Sequence, residues 1–536
     1  MSQLNSDGQW WWELITSINK DDNFTLPLLV TITAVILAVL CYKFTYSSFS
    51  PPLPPGPRSL PIVGYLPFLT ADLHKQFTSM ARTYGPIFKF HLGSKLHVVI
   101  NTVELAKTVV RDQDETFANR NLTVAASVIT YGGQDIVWAM NNATWRNLRK
   151  VFVHEALSTK NLEACSSFRS YEVRKTVKNV FGKMGTPIDI NEIAFLTETN
   201  VLTSMIWANT DNKEEKDLEL GSEFQRVSCN IAEIFGRPNL SDFLPVLAWF
   251  DLQRVERDMK KQLYKLDQIF ESMIEERIKS NSQKPKDGVG VGDDDGKKDF
   301  LQILLDIGNK EDASSLNMTQ IKALLLDIMI AGAETTATLI EWAMAEIMKN
   351  QNVMKAIQEE LAEVVGLNNI VQESHLLKLK YLDATIKETF RLHPVVPFLI
   401  PRSPSQDCIV GGHTLPKGCT VFLNVWSIQR DPRYWDNPLE FHPDRFMTYD
   451  GTKKCDYKGN NLKFMPFGTG RRLCAGLPLA EKMLMYILAS LLHSFNWSLP
   501  KGEDHDLYEK VGLTLKKAKP LIAIPSQRLS DVSLYM

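Results

Sequence analysis

Phe467-Gly-Thr-Gly-Arg-Arg-Leu-Cys474-Ala-Gly476 isolates one cysteine among glycines and arginines. Gly468, Gly470 and Gly476 let the backbone turn tightly and approach a flat group closely, and Arg471 and Arg472 offer charge partners to carboxylates. The residues from Leu477 onward, Leu-Pro-Leu-Ala-Glu-Lys-Met-Leu-Met-Tyr-Ile-Leu, read as a helix. Cys474 therefore falls just ahead of a helix N-terminus, where the dipole favours a thiolate. A sulfur held in that way is expected to be a metal ligand. The competing reading is a glycine loop followed by an ordinary buried free cysteine.

The order phenylalanine, glycine three on, arginine five on, cysteine seven on and glycine nine on resembles the heme-binding signature of the cytochrome P450 superfamily. The resemblance implies a mainly α chain: a single large cytochrome P450 fold with small β-sheets, heme b lying between a long central helix and the cysteine loop. It implies Cys474 as axial ligand to the heme iron, a thiolate that pushes electron density onto iron and favours O–O cleavage. Phe467 and Arg472 belong to the same cofactor-binding stretch.

The bulk properties are compatible with this. No strong composition break follows residue 60 of the 536, which suits one large helical domain. A formal net charge of -2 with 23% charged residues gives no reason to expect nucleic acid as a partner. Seven cysteines (41, 165, 229, 408, 419, 455, 474) form no C-x-x-C pair, so neither a zinc site nor a disulfide framework is indicated, and a reducing cytosol is the simpler inference.

Residues 24–42 form an uncharged, mostly apolar run about long enough to cross a bilayer, with Pro27 in the first turn, where proline is tolerated. A cleaved signal peptide is the alternative, but Glu13, Asp21 and Asp22 stand where a basic flank would be and no small-residue cleavage site follows. Lys43 and Arg58 lie on the C-terminal side, which leaves the large domain facing the cytosol. Ser50-Pro-Pro-Leu-Pro-Pro-Gly-Pro57 is a stiff, extended segment that resembles the hinge of microsomal members of the family. The expected organisation is a lumenal tail (1–23), a transmembrane anchor (24–42), a proline-rich hinge (50–57) and a catalytic domain (58–536), single-pass in the endoplasmic reticulum membrane.

Ile87–Leu92 and Leu96–Ile100 around Gly93-Ser-Lys read as a hairpin. Most later segments, including 300–306, 317–349 and 353–365, read as amphipathic helices. The glycine-rich, charged stretch 284–298 reads as a surface loop.

Ala331-Gly-Ala-Glu-Thr-Thr336 interrupts a long apolar helix with small residues, an acid and two hydroxyls. Gly332 costs about 1 kcal/mol relative to alanine, and a buried Glu334 needs partners; such local costs mark functional sites. The stretch resembles the family's oxygen-activation motif, where a small residue leaves room above the heme. That implies Glu334 and Thr335 as the catalytic pair that relays protons to dioxygen. Thr335 bonding back to the Ala331 carbonyl of an ordinary helix is the alternative.

Glu388-Thr-Phe-Arg391 puts an acid and a base three apart on one helix face. With Arg445 of Phe441-His-Pro-Asp-Arg445-Phe446, the set resembles the family's structural glutamate-arginine-arginine triad. Trp145 and Arg149, four apart on a helix, are positioned to reach a heme propionate. The resemblance implies the same for Arg402 and Arg472.

The segments matching the family's variable recognition regions, 122–131, 395–400 and 511–514, carry no fixed charge, so a neutral apolar small molecule is the expected substrate. Residues 132–138, 239–251 and 471–476 are similar to plant microsomal enzymes of the cadinene hydroxylase type. The resemblance implies dioxygen, electrons from NADPH through a cytochrome P450 reductase, and a sesquiterpene or other terpenoid as substrate, with a flavonoid or other phenolic second. Two rivals are a heme-thiolate enzyme that rearranges hydroperoxides, against which Glu334-Thr335 argues, and a non-catalytic membrane heme-binding protein.

Overall fold

Asn317 starts the longest helix of the described chain by a reciprocal cap. Its side chain accepts from Gln320 N at 2.9 Å, while the Gln320 side chain accepts from Asn317 N at 3.0 Å. The helix runs Met318–Lys349 and is apolar on nearly every side, the mark of a helix buried on all faces. Its length and composition would suit a membrane span, but most of it lies inside the protein, so it is the core helix. Helices Ile190–Ile206, Lys380–Leu392 and Leu477–Ser494 pack around it. The computed structural model that shows this describes residues 29–37, 51–207, 214–237, 239–283, 299–310, 315–447, 455–512 and 514–536.

The β-structure is minor and peripheral. The expected hairpin is present as Ile87–Leu92 antiparallel to Lys95–Ile100, and Thr420–Leu423 adds in parallel along its inner strand. A second sheet joins Ile188–Asp189, Ile522–Gln527 and Phe495–Ser498, and Glu509–Val511 pairs with Leu515–Lys517 near the C-terminus. The chain is thus mainly α with small sheets.

The proline-rich segment lies against the first sheet. Pro55 O accepts from Lys89 N at 2.8 Å, Pro52 O accepts from Thr414 N at 3.1 Å, and Leu53 is buried. Residues 29–37 are helical and exposed. The rest of the expected anchor, the tail 1–23 and the loop 284–298 lie outside the described residues. Every cysteine among the described residues is free.

Candidate active site

Gly468 and Gly470 take left-handed backbone (φ 73° and 70°), and a Cβ at Gly470 would meet Asp114 Oδ1 at 2.6 Å. Only glycine fits there. The loop closes on itself through Cys474 N donating to Phe467 O at 3.0 Å, and the Phe467 ring is wedged edge-on against Phe390. Gly476 is the N-cap of helix Leu477–Ser494, as the sequence predicts. Amide donors of Gly476 and Leu477 face the Cys474 sulfur. Cys474 is exposed although Arg472 and Leu477 beside it are buried, so it lines an interior space. Burial pushes its thiol up, and the Gly476 amide, Arg149 and the Leu477 amide oppose that without overcoming it. The expected preference for a thiolate thus does not come from the protein donors alone; desolvating the anion outweighs them.

Beside the loop lie four arginines. Arg472 is buried, donates to Ala118 O at 2.7 Å and Ile136 O at 3.2 Å, and rests over the Trp145 ring at 4.1 Å. Arg402 donates to Asp114 Oδ1 at 2.8 Å and Thr469 O at 2.7 Å. Arg149 donates to Leu473 O. The fourth, Arg120, donates to Val137 O and Pro401 O. Burial, then Arg402 and Arg149, holds Arg472 down to about 9, and burial followed by Arg472, Arg402 and Arg149 lowers Arg120. Two carboxylates, Asp114 and Asp135, face the four cations, which leaves a surplus of buried positive charge. Trp145 does not point its N–H into this cradle: Nε1 donates to Ile136 O at 3.0 Å, so the indole supports Arg472 from below.

The central helix presents its interrupted stretch to an interior space as well. Ala331 is exposed and Thr335, one turn on, is half-buried, while the residues that follow are buried. Thr335 Oγ1 donates to Ala331 O at 2.6 Å, the back-bonded arrangement. The residue that leaves room on this face is Ala331. Gly332 serves a different contact, because a Cβ there would come within 2.9 Å of Leu202 Cδ1 on the crossing helix Ile190–Ile206. Glu334 is buried and accepts from Thr514 Oγ1 at 3.3 Å, and Lys516 pairs with the same oxygen, Oε1. Lys516 lies two residues past the uncharged segment 511–514, and its charge is taken up by Glu334.

Glu388, Arg391 and Arg445 meet. Arg391 grips both Glu388 oxygens at 2.7 Å and donates to the carbonyls of Gln429, Pro438 and Glu440. Arg445 Nε donates to Glu388 Oε1 at 3.0 Å. Both members of the inner pair are fully buried.

A family model described as Cytochrome P450 matches residues 54–524. The chain belongs to the cytochrome P450 family. Among curated relatives, a flavonoid 3'-monooxygenase of Crocosmia x crocosmiiflora is 36% identical over 95% of this chain and 98% of its own length. Geraniol 8-hydroxylase of Catharanthus roseus is 36% identical over 94% and 100%. A geranylhydroquinone 3''-hydroxylase of Arnebia euchroma is 36% identical over 88% and 94%. A zebra fish cytochrome P450 solved with progesterone superposes with a TM-score of 0.70 at 25% identity, covering 84% of this chain and 99% of that one. The chain is a plant P450 monooxygenase of the class II type, and its cofactor is heme.

The P450 residues fit that cofactor. An inward-facing sulfur, a helix face opened at Ala331 and a buried surplus of arginine charge suit a flat apolar ring bearing two carboxylates. Three parts of the site went unread in the sequence. Arg120 and Asp114 sit in stretches with no motif. Asp327, on the central helix, accepts from Ile136 N at 2.8 Å and so fixes the backbone whose carbonyl receives Trp145 and Arg472.

Proposed function

We propose that this P450 hydroxylates a small apolar plant metabolite, a sesquiterpene or another terpenoid, at the endoplasmic reticulum membrane, with electrons from NADPH through a cytochrome P450 reductase. What supports a terpenoid is the apolar character of the partly open side chains Ile330, Val396, Leu399 and Ile400, near Ala331 and after helix Lys380–Leu392, with the Thr335 hydroxyl already bonded to Ala331 O. A flavonoid, with several hydroxyls to satisfy, is the second reading, favoured by the flavonoid 3'-monooxygenase relative.

Heme b, when bound, supplies the iron at which dioxygen is activated. Cys474 Sγ would ligate that iron with the Gly476 and Leu477 amides behind it. Arg120, Arg149, Arg402 and Arg472 would hold the two carboxylates, Arg472 braced by Trp145. Phe467 packs the cysteine loop, and Glu388, Arg391 and Arg445 retain its shape. Glu334 carries protons at its carboxyl, and Thr335 Oγ1, resting on the Ala331 carbonyl, takes them toward the open face.

Membrane contact is supported by one surface. Val246, Trp249, Phe250 and Leu252 are 57–92% exposed. Leu60, Ile62 and Phe68 are exposed on the segment joined to the same place, since Tyr65, Leu66 and Phe243 pack against one apolar cluster, Phe243 O accepts from Ser94 N and Val63 O accepts from Gly93 N. Such a patch suits the acyl boundary of a bilayer. Arg146, Lys150 and Arg471 are exposed and available to an acidic reductase.

The experiment is microsomal expression with a plant reductase, then incubation with a panel of terpenes and flavonoids. NADPH- and dioxygen-dependent hydroxylation of a terpene is expected. Product from flavonoids alone moves the assignment to the second reading. Ligand-induced spectral change without any product would identify a heme-binding protein with no oxygenase activity.

A further inference from the structure

The C-terminal hairpin is built into the core more firmly than a surface hairpin needs to be. Its outer strand begins at Glu509, whose carboxylate meets His74 Nε2 at 2.9 Å, Lys75 at 3.4 Å, and Arg430 and His393 at 3.9 Å. His393 in turn bonds Glu346 of the central helix at 2.7 Å and stacks on Trp342 with ring centroids 4.0 Å apart. The inner strand is clamped at one residue from both sides: Leu515 N donates to Val395 O at 2.8 Å, and Leu515 O accepts from Trp342 Nε1 at 2.9 Å.

The residues flanking that clamp are Thr514 and Lys516, and both end on Glu334 Oε1. The side chain of Lys516 is 38% exposed and that of Glu334 8%, so the hairpin carries a cation from a wet position to a buried carboxylate. A lone buried carboxylate is costly, and a paired one is held in place. Alternation along the strand sends Lys517 to the opposite side, where it lies over Trp342.

We infer that Lys516, with Thr514, is a positioning residue that orients Glu334 and sets when its carboxyl is free to carry a proton. This rests on the proton-carrying role given to Glu334. The lysine touches neither substrate nor reacting atoms; it acts through the acid. The clamped hairpin makes the hold independent of substrate, so the ion pair is present before turnover and must loosen for each proton passed.

Cys229 gives an internal probe. It is exposed, and its thiol is pushed up by burial, with Glu334 adding to that and Lys516 opposing it. Its alkylation rate therefore reads the pair without any turnover. In the full-length holoenzyme, peptide-resolved iodoacetamide labelling at fixed pH is expected to slow at Cys229 in Lys516→Gln and to quicken in Glu334→Gln. In the reconstituted system Lys516→Gln is expected to release at least about twofold more peroxide per NADPH consumed, with Lys516→Arg near wild type and Lys510→Gln, on the partner strand, unchanged.

If Lys516→Gln leaves both coupling and Cys229 labelling at wild-type values while Glu334→Gln uncouples, the positioning role is wrong and the proton-carrying role stands. If Glu334→Gln itself leaves coupling unchanged, the proton-carrying role is wrong, and the labelling still reports whether the pair exists. Loss of heme or of folded protein in Lys516→Gln but not in Lys516→Arg, with Cys229 labelling unchanged in the folded fraction, would make the lysine structural only.

Discussion

Gly332→Ala separates two reasons for a small residue in the central helix. Alanine should gain about 1 kcal/mol from helix propensity. Against this, its Cβ would sit 2.9 Å from Leu202 Cδ1, and Leu202, 1% exposed and beside a small internal cavity, must shift to make room. Overpacking of that kind costs about 1–3 kcal/mol, so the net expectation is a loss of about 0–2 kcal/mol. Leu202→Ala alone should cost about 2–5 kcal/mol. In that background the new methyl has room, and Gly332→Ala should become stabilising by about 1 kcal/mol. The sign therefore reverses, and the cycle carries a coupling of about 1–3 kcal/mol. Urea midpoints of the full-length protein in detergent, at constant m, measure it. A cost at Gly332 that is the same with and without Leu202 would refute the packing explanation. Ala331→Val should behave oppositely, altering spectral binding of small iron ligands while leaving the urea midpoint nearly fixed.

Arg391→Leu takes from the fully buried Glu388 carboxylate its two-pronged partner, leaving Oε2 bare and Oε1 on Arg445 and His442 N, and strips the carbonyls of Gln429 and Pro438. The expected cost is about 3–5 kcal/mol, a large share of a typical 5–15 kcal/mol, so heme recovered per polypeptide should collapse; normal recovery sinks the structural role. At Glu509, burial raises the carboxyl, but the His74 hydrogen bond and the charges of Arg430, His74 and His393 bring it down to about 2. A depressed acid stabilises above its unfolded value and loses that as pH falls, here between about pH 5 and pH 2 and on the order of 3 kcal/mol. Glu509→Gln should flatten that limb, and an unchanged acid denaturation curve would show the network to be inert. Arg120→Gln should speed transfer of heme to apomyoglobin, and equal transfer rates would remove Arg120 from the cradle. A bimane placed at Trp249→Cys in reconstituted vesicles should be quenched by brominated lipid; absence of quenching would take that surface off the membrane.

The cysteine loop was legible because its demands are local: left-handed glycines, a capped helix and a sulfur within one stretch. Helix Lys380–Leu392 was legible for the same reason, since Glu388 and Arg391 meet at i and i+3. Trp145 was misaimed because helical spacing fixes the face of an indole and says nothing of which carbonyl takes its N–H, here Ile136 O from the preceding loop. The packing contact of Gly332 was not legible, since the crossing Leu202 is 130 residues away in sequence. Arg120, Asp114, Asp327 and Lys516 share this property. Each acts through a partner brought near only by the fold, and no period or motif encodes such a meeting.

The proline-rich strip has a consequence for how the protein behaves outside a membrane. Pro55 and Gly56 cover Lys89 of Ile87–Leu92, the outer strand of its sheet, with Gly56 so close to Lys89 O that any side chain would collide, while Pro51 and Pro52 bond Thr414. Prolines accept hydrogen bonds but donate none. They therefore seal the strand without becoming a new edge on which another molecule could polymerise. A soluble form cut before Pro51 keeps this seal. A form cut after Pro57 bares the edge at Lys89, with Gly64 and Tyr65 still on Leu92 and His91, and its self-association should rise with concentration even when its site is intact.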